Sequence, residues 1–313
     1  MSLRAKRSGR SNLWLKSEYV IFPRSLWSLA MTKVFMFNFL HTFNPSPVLL
    51  SFGPINIYWY GFFIVLGVLA AITVAIYLAK LHNIKSETII DLAVWLIIGG
   101  LIGARLYDIG LEWPYFYAHP LDSFKIWQGG LAIHGGILGG LIALWFYVKK
   151  TTGDFWQLAA IVITGLPLAQ AIGRFGNYFN QELFGYPTNL AWGIPIDQLH
   201  RPLEYLNYGY FHPAFLYESI GNLLIFIFLF IPHYLIIKKN KITNSAYFLL
   251  IAAYFLLYSS LRFITEFIRV DAAPVIFGWR FPQLISLIII IFCLTYCGIA
   301  FYRKISQNKT LEK

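Results

Sequence analysis

Charge is scarce in this chain. Asp, Glu, Lys and Arg make up only 12% of its 313 residues, about half the share of an ordinary soluble domain. With 58% hydrophobic residues and a mean hydropathy of +0.61, a soluble surface is excluded and a polytopic membrane protein is indicated. Acidic residues are scarcer than basic ones, 14 against 25, giving a net charge of +11. No basic stripe or folded polar module accompanies that excess, so it does not indicate nucleic-acid binding. It fits cytoplasmic loops and attraction to anionic lipid. Cysteine is nearly absent: Cys293 and Cys297 lie four residues apart in one apolar run, which excludes a disulfide framework and argues against a metal site or a catalytic thiol of the protein's own.

Other chemistries lack their residues. Ser259 and Ser260 have no Gly-x-Ser-Gly context and no paired aspartates stand out, which weighs against an intramembrane protease. No pair of inverted broken helices marks a transporter. No clean signal peptide opens the chain, because Arg24 and Lys33 interrupt the candidate apolar run. Residues 1–35 read as a basic N-terminal extension or a mis-called start, since Met31 and Met36 offer later ones. Residues 36–313 read as a single integral membrane catalytic domain.

What the chain has in abundance is apolar runs near the roughly 20 residues that cross a bilayer. The expected fold is an all-α bundle of about seven transmembrane helices, at Ile57 to Ala79, Thr88 to Asp108, Gly129 to Val148, Phe155 to Gly173, Pro213 to Ile237, Ser245 to Phe267 and Pro282 to Phe301. Gly165 and Pro167 break the fourth, as bundle neighbours allow.

The basic residues separate by type. One set of loops carries Lys80, Lys85, Lys149, Lys150, Lys238, Lys239, Lys241, Arg303, Lys304, Lys309 and Lys313. This lysine side is predicted cytoplasmic, which leaves the N-terminus outside. The opposite side, after Met36, carries Arg105, Lys125, Arg174, Arg201, Arg262, Arg269 and Arg280. Topology needs only charge, whereas the guanidinium fork matches phosphate and carboxylate in a bidentate way. The outer face is therefore expected to hold an anion, with a phospholipid headgroup as the nearest candidate.

Four motifs supply its chemistry. Gly173 to Gly185, GRFGNYFNQELFG, crowds Arg174, Asn177, Asn180 and Glu182 among glycines at the end of a membrane helix, where polar groups are costly and mark function. His134 lies between glycine pairs in IHGGILGG, either as a proton acceptor or as a histidine hydrogen-bonded in the bundle. Tyr258, Arg262, Glu266 and Arg269 follow one helical face, either gripping a ligand or forming an ion-pair ladder. Arg105, and His212, Tyr217 and Glu218 of HPAFLYES, carry the same two readings, with structure the better one for each alone. Tyr60 in YWYG reads first as an interfacial aromatic anchor. The inferred topology brings these polar ends to one side.

Together GRFGNYFNQELFG, IHGGILGG, YWYG, HPAFLYE and LRFITEFIR resemble the motifs of the prolipoprotein diacylglyceryl transferases, from about Met36 to the last helix. The resemblance implies transfer of the diacylglyceryl group of phosphatidylglycerol to the lipobox cysteine thiol in the signal peptide of a bacterial prolipoprotein, the first step of lipoprotein maturation, with release of glycerol phosphate. It places the protein in the bacterial cytoplasmic membrane with its site toward the outer face. It implies His134, Arg174, Tyr258 and Arg262 as catalytic. Asn177, Glu182, Gly185, Tyr60, Arg105, Glu266 and Arg269, together with Arg174, are the implied substrate-binding positions. His134 would take the thiol proton or orient the headgroup. No metal or cofactor is required by these residues. Phe215 departs from the family's usual glutamine, and no binding role is assigned there.

Overall fold

The computed structural model describes residues 39–53, 55–240 and 243–311, so the predicted N-terminal extension lies outside them. A hairpin, β1 (Val48–Phe52) and β2 (Ile55–Tyr58), leads into α1 (Trp59–Leu81). Then come α2 (Ser86–Leu111), the short α3 (Trp113–Ala118), α4 (Ile133–Thr151), α5 (Phe155–Phe179), α6 (Ala214–Lys238), α7 (Asn244–Thr265) and α8 (Phe281–Leu311). Two small antiparallel ladders, β3 (Ile194–Pro195) with β4 (Tyr210–Phe211) and β5 (Val275–Ile276) with β6 (Trp279–Arg280), cap the end of the bundle that carries the motifs. The lysines of the α1–α2, α4–α5 and α6–α7 connections lie at the opposite end.

Among the described residues six helices, α1, α2, α5, α6, α7 and α8, are long and apolar enough to cross a membrane. The predicted third span corresponds to α4, which starts at Ile133 because Gly129 and Gly130 sit in a loop with positive φ. Its 19 residues reach about 28 Å at 1.5 Å per residue. Four glycines, His134, Lys149 and Lys150 keep it from holding an 18-residue stretch as hydropathic as those of the other six. The first predicted span begins two residues late because Ile55–Tyr58 pair with β1. The expected break at Gly165 and Pro167 does not occur: α5 runs unbroken through both, packed against α1, α6 and α7, as the central helix of the bundle.

Small residues set the helix spacing. Gly99 and Gly103 on α2 face Gly139 and Gly135 on α4 so closely that a Cβ on any of them would collide with the partner backbone, the small-xxx-small packing that replaces hydrophobic drive inside lipid.

A buried polar chain ties the lysine end together. The Thr164 hydroxyl donates to the Ala160 carbonyl at 2.7 Å, so it accepts from His233 Nδ1 at 2.8 Å. His233 Nε2 is then the acceptor from His82 Nε2 at 3.1 Å. His82 Nδ1 accepts from the Gln157 amide at 3.2 Å, with the Tyr247 hydroxyl at 3.4 Å. The chain joins the end of α1 to α5, α6 and α7, and every link requires neutral rings. Burial holds the pKa of His82 below its ordinary 6.5. The folded protein therefore binds fewer protons than the unfolded chain below that pH, and stability falls as pH falls. Melting in detergent should be flat above neutrality and decline below about pH 6.5, by up to about 1.4 kcal/mol per pH unit. A His82→Leu variant should melt lower at pH 7.5 and lose that part of the acid slope. A wild-type melting temperature unchanged between pH 7.5 and 5 would contradict this.

Candidate active site

The site is built where three helix ends meet. α5 runs into a turn in which Gln181 and Leu183 hold φ of 51° and 55°. Non-glycine residues held in this region carry strain that the surroundings must enforce. Gln181 enforces it here: its amide donates to Asn44, the Pro45 carbonyl and Asp197, and its oxygen accepts from the Asp197 backbone N–H at 2.6 Å. Four residues after Gln181, Gly185 forms a bridge with Arg269 and donates to the His212 carbonyl at 2.9 Å. A Cβ at Gly185 would come within 2.7 Å of His212 Cβ and 3.0 Å of the Ile268 carbonyl, so glycine is needed for this close approach. The turn thereby fastens the end of α5 to the start of α6 and the end of α7.

One carboxylate organises what converges there. Glu218 on α6, 2% exposed, pairs with Arg174 of α5 at 2.7 Å, Arg262 of α7 at 3.0 Å and Arg269 at 3.1 Å. Glu266, 1% exposed, pairs with Arg262 at 2.8 Å and Arg280 at 3.0 Å. Asp271 closes the back, 2.7 Å from Arg269 and 3.5 Å from Arg280. Burial alone would lower the Arg269 pKa, but its bond to Asp271 and the charges of Glu218 and Asp271 raise it, keeping the group charged. In front, Arg174 donates to Asn177 Oδ1 at 3.3 Å and Asn177 donates to Glu182 at 2.7 Å. Four guanidinium groups thus face three carboxylates, Glu218, Glu266 and Asp271, an excess of one positive charge before the exposed Glu182 is counted.

The structure therefore brings together Arg174, Asn177, Glu182, Gly185, Arg262, Glu266 and Arg269 of the expected residues. Arg174 and Arg262 remain 18% exposed at the side chain, whereas Arg269 is 5% exposed, so the first two present guanidinium surface to a ligand. Tyr258 lies one turn from Arg262, stacked on Tyr254 with ring centroids 5.6 Å apart, and its hydroxyl makes no hydrogen bond among the described residues. Tyr60 lays its ring on Gly176, in the last turn of α5. With Asn180, Trp127 and Gly129 it lines an open cavity of about 610 Å³ beside that turn.

Two expected residues stand apart. Arg105 is 8% exposed and spends its donors on the α3–α4 connection, bonding the Ser123 carbonyl at 2.9 Å, the Gly129 and Gly130 carbonyls at 2.9 and 3.0 Å, and the Asp122 carbonyl. It staples that loop and contacts none of the cluster. His134 lies exposed beside Tyr107, ring centroids 5.9 Å apart. Gly135 and Gly139 must face α2, and the adjacent position on a helix turns about 100° away from that contact.

Sequence reasoning undervalued Glu218, and assigned Arg280 and Asp271 no role. A lone acid at the start of an apolar helix carries no periodic signal, and Arg280 was visible only as part of the outer-face arginine excess. Phe215, the position that departs from the usual glutamine, is 3% exposed and stacks on Tyr178, centroids 4.6 Å apart.

A helix bundle with six helices long and apolar enough to cross a membrane among the described residues, and a partly exposed arginine cluster at one end, defines a multi-pass integral-membrane protein. Residues 47–299 match the profile of the family described as "Prolipoprotein diacylglyceryl transferase". The chain belongs to that family. It is 46% identical over 191 residues to a protein from Nostoc sp. (61% of this chain, 67% of the relative). Longer matches are 36% over 266 residues with one from Synechocystis sp. (85% and 92%) and 39% over 288 residues with one from Prochlorococcus marinus (85% and 95%). Each of these relatives is named phosphatidylglycerol-prolipoprotein diacylglyceryl transferase.

Proposed function

We propose that this protein moves the diacylglyceryl group of phosphatidylglycerol onto the lipobox cysteine of a prolipoprotein. The enzyme class and the two substrates follow from the family and the names of its relatives. The observation that carries the mechanism is the convergence of Arg174 and Arg262, from two helices, on the buried Glu218. That carboxylate holds the two forks toward one point while both stay partly exposed, which is the preorganisation a developing anion requires. The phosphodiester lies against these two arginines. The cysteine sulfur attacks the glyceryl carbon, a C–S bond forms as the C–O bond to phosphorus breaks, and glycerol phosphate leaves with the electron pair.

The thiol must lose its proton, since the thiolate is the reactive form. Glu218 and Glu266 each hold two or more arginines and are engaged by those ion pairs. His134, exposed and without hydrogen bonds among the described residues, is the proposed acceptor, reached through solvent along its flank. Tyr60 lines the adjoining cavity, Asn177 ties Arg174 to Glu182, and Arg105 acts by holding the loop that lines the cavity. Incubating purified protein with phosphatidylglycerol and a lipobox peptide should give a diacylglyceryl thioether by mass spectrometry; cleaved peptide, or no adduct, would sink the proposal.

The site faces outward from the cytoplasmic membrane, with α4 as a seventh crossing, the N-terminus outside and the C-terminus cytoplasmic. Lysines at the far end support this orientation. In a background with Cys293 and Cys297 replaced, single cysteines near Lys149 and Lys239 should be shielded from an impermeant thiol reagent in intact cells. One near Asn189 should be labelled. The reverse pattern would overturn the orientation.

A further inference from the structure

One turn beneath the arginine cluster lies a second polar layer. Gln170 is four residues before Arg174 on α5, Asn222 four after Glu218 on α6, and Tyr258 four before Arg262 on α7. Four residues are about 6 Å of helix, and α6 runs opposite to α5 and α7, so each lies on the face of the cluster residue above it, displaced toward the lysine end. Two oxygens in this layer are bare. Asn222, 1% exposed, donates its amide to the Glu218 carbonyl at 2.8 Å, which fixes the amide's orientation and leaves Oδ1 buried without a partner. Gln170 donates to the Tyr254 hydroxyl at 2.9 Å, and its Oε1 is likewise buried and unpartnered. Buried polar atoms are nearly always paired, and the exceptions call for a reason.

We propose that this layer seats the acceptor cysteine, with Asn222 Oδ1 receiving the cysteine backbone N–H and Gln170 Oε1 holding the thiol S–H until the proton is passed to solvent and on to His134. The inference rests on the phosphate lying at Arg174 and Arg262. The carbon under attack is two bonds from the phosphorus, on the side of the acyl chains. A nucleophile in line with the leaving oxygen approaches that carbon from beyond it, at about 3–3.5 Å. That places the sulfur a helical turn below the cluster, where the bare oxygens are. The donor/acceptor match agrees: the lipid offers only ester carbonyls near that carbon, which are acceptors, whereas a cysteine residue offers an N–H and an S–H. The Tyr258 hydroxyl, without a hydrogen bond among the described residues, supplies a donor for the thiolate once it forms. Asn222 and Gln170 act here as positioning residues.

Two lipobox peptides test this, one with an ordinary cysteine amide and one N-methylated at the cysteine. Wild type should lose roughly tenfold or more in kcat/KM for the methylated peptide, the loss expected when one buried hydrogen-bonding group goes unpaired. Asn222→Ser keeps a hydroxyl able to donate to the carbonyl four residues back but removes the amide oxygen. It should process the ordinary peptide about as slowly as wild type processes the methylated one, treat both peptides alike, and keep the KM for phosphatidylglycerol. Asn222→Leu should behave the same way and stands in if the serine variant does not fold. A wild type indifferent to methylation, or a folded variant that still discriminates, would overturn the proposal. Failure of the arginine clamp shows separately, as normal turnover in Arg262→Lys with the ordinary peptide.

Discussion

Replacing Arg262 with lysine should leave a protein that inserts and folds yet transfers roughly ten- to a thousand-fold more slowly, the range expected when about 1.4 to 4 kcal/mol of directed anion stabilisation is lost. Lysine keeps the charge, so one contact to Glu218 or Glu266 survives and the buried carboxylates are not stranded. What disappears is the fork that bridges Glu218 at 3.0 Å and Glu266 at 2.8 Å while its side chain stays 18% exposed, the edge that the proposed mechanism gives to the phosphate. Arg174→Lys should fall in the same range with the smaller effect. Arg174 meets a single carboxylate, Glu218 at 2.7 Å, and its other link is to Asn177 at 3.3 Å, which leaves an ammonium more room to adapt. Transfer assays beside thermal melts in detergent read both quantities. Near-normal turnover in two well-folded variants would remove the phosphate clamp.

Glu218→Gln should fail in the opposite order. It withdraws the one negative charge shared by Arg174, Arg262 and Arg269 at a site 2% exposed. Breaking a buried ion pair by removing one partner costs about 3–5 kcal/mol, because the remaining charge is left uncompensated. Here three guanidinium groups lose their common partner, and Glu266 and Asp271 cannot balance four arginines. The melting temperature and the amount of protein in the membrane should drop, and the surviving folded fraction should transfer poorly because the forks no longer converge. A Glu218→Gln protein of wild-type stability and turnover would show that the arginines are held by something else.

The contrast between these variants reflects what was legible before the structure. The apolar runs announced the bundle, because twenty-residue stretches in a chain this poor in charge have few other uses. The exception, α4, fell short in hydropathy because it carries four glycines, of which Gly135 and Gly139 are spent on close packing against α2, together with His134 and two lysines. The motif of Gly173 to Gly185 and the face Tyr258, Arg262, Glu266, Arg269 were visible since polar groups at the end of an apolar helix are conspicuous. Glu218 was seen and weighed as structural, and single-residue reasoning could do no better: its meaning lies in three arginines distant in sequence. Asn222, Gln170 and the His82–His233 pair are isolated polar residues on or at the ends of apolar helices, where only the fold reveals partners or their lack. Arg105 and His134 were grouped with the cluster because they share its end of the bundle, but their helices pack on each other and turn them to a separate flank.

The most direct test is a structure of the protein with a non-transferable phosphonate analogue of phosphatidylglycerol. The phosphoryl oxygens should lie about 2.7–2.9 Å from guanidinium nitrogens of both Arg174 and Arg262, the spacing of charge-assisted hydrogen bonds, with the acyl chains directed toward the layer of Gln170 and Asn222. A phosphonate bound elsewhere, with both arginines still engaged only by Glu218, Glu266 and Asn177, would contradict it.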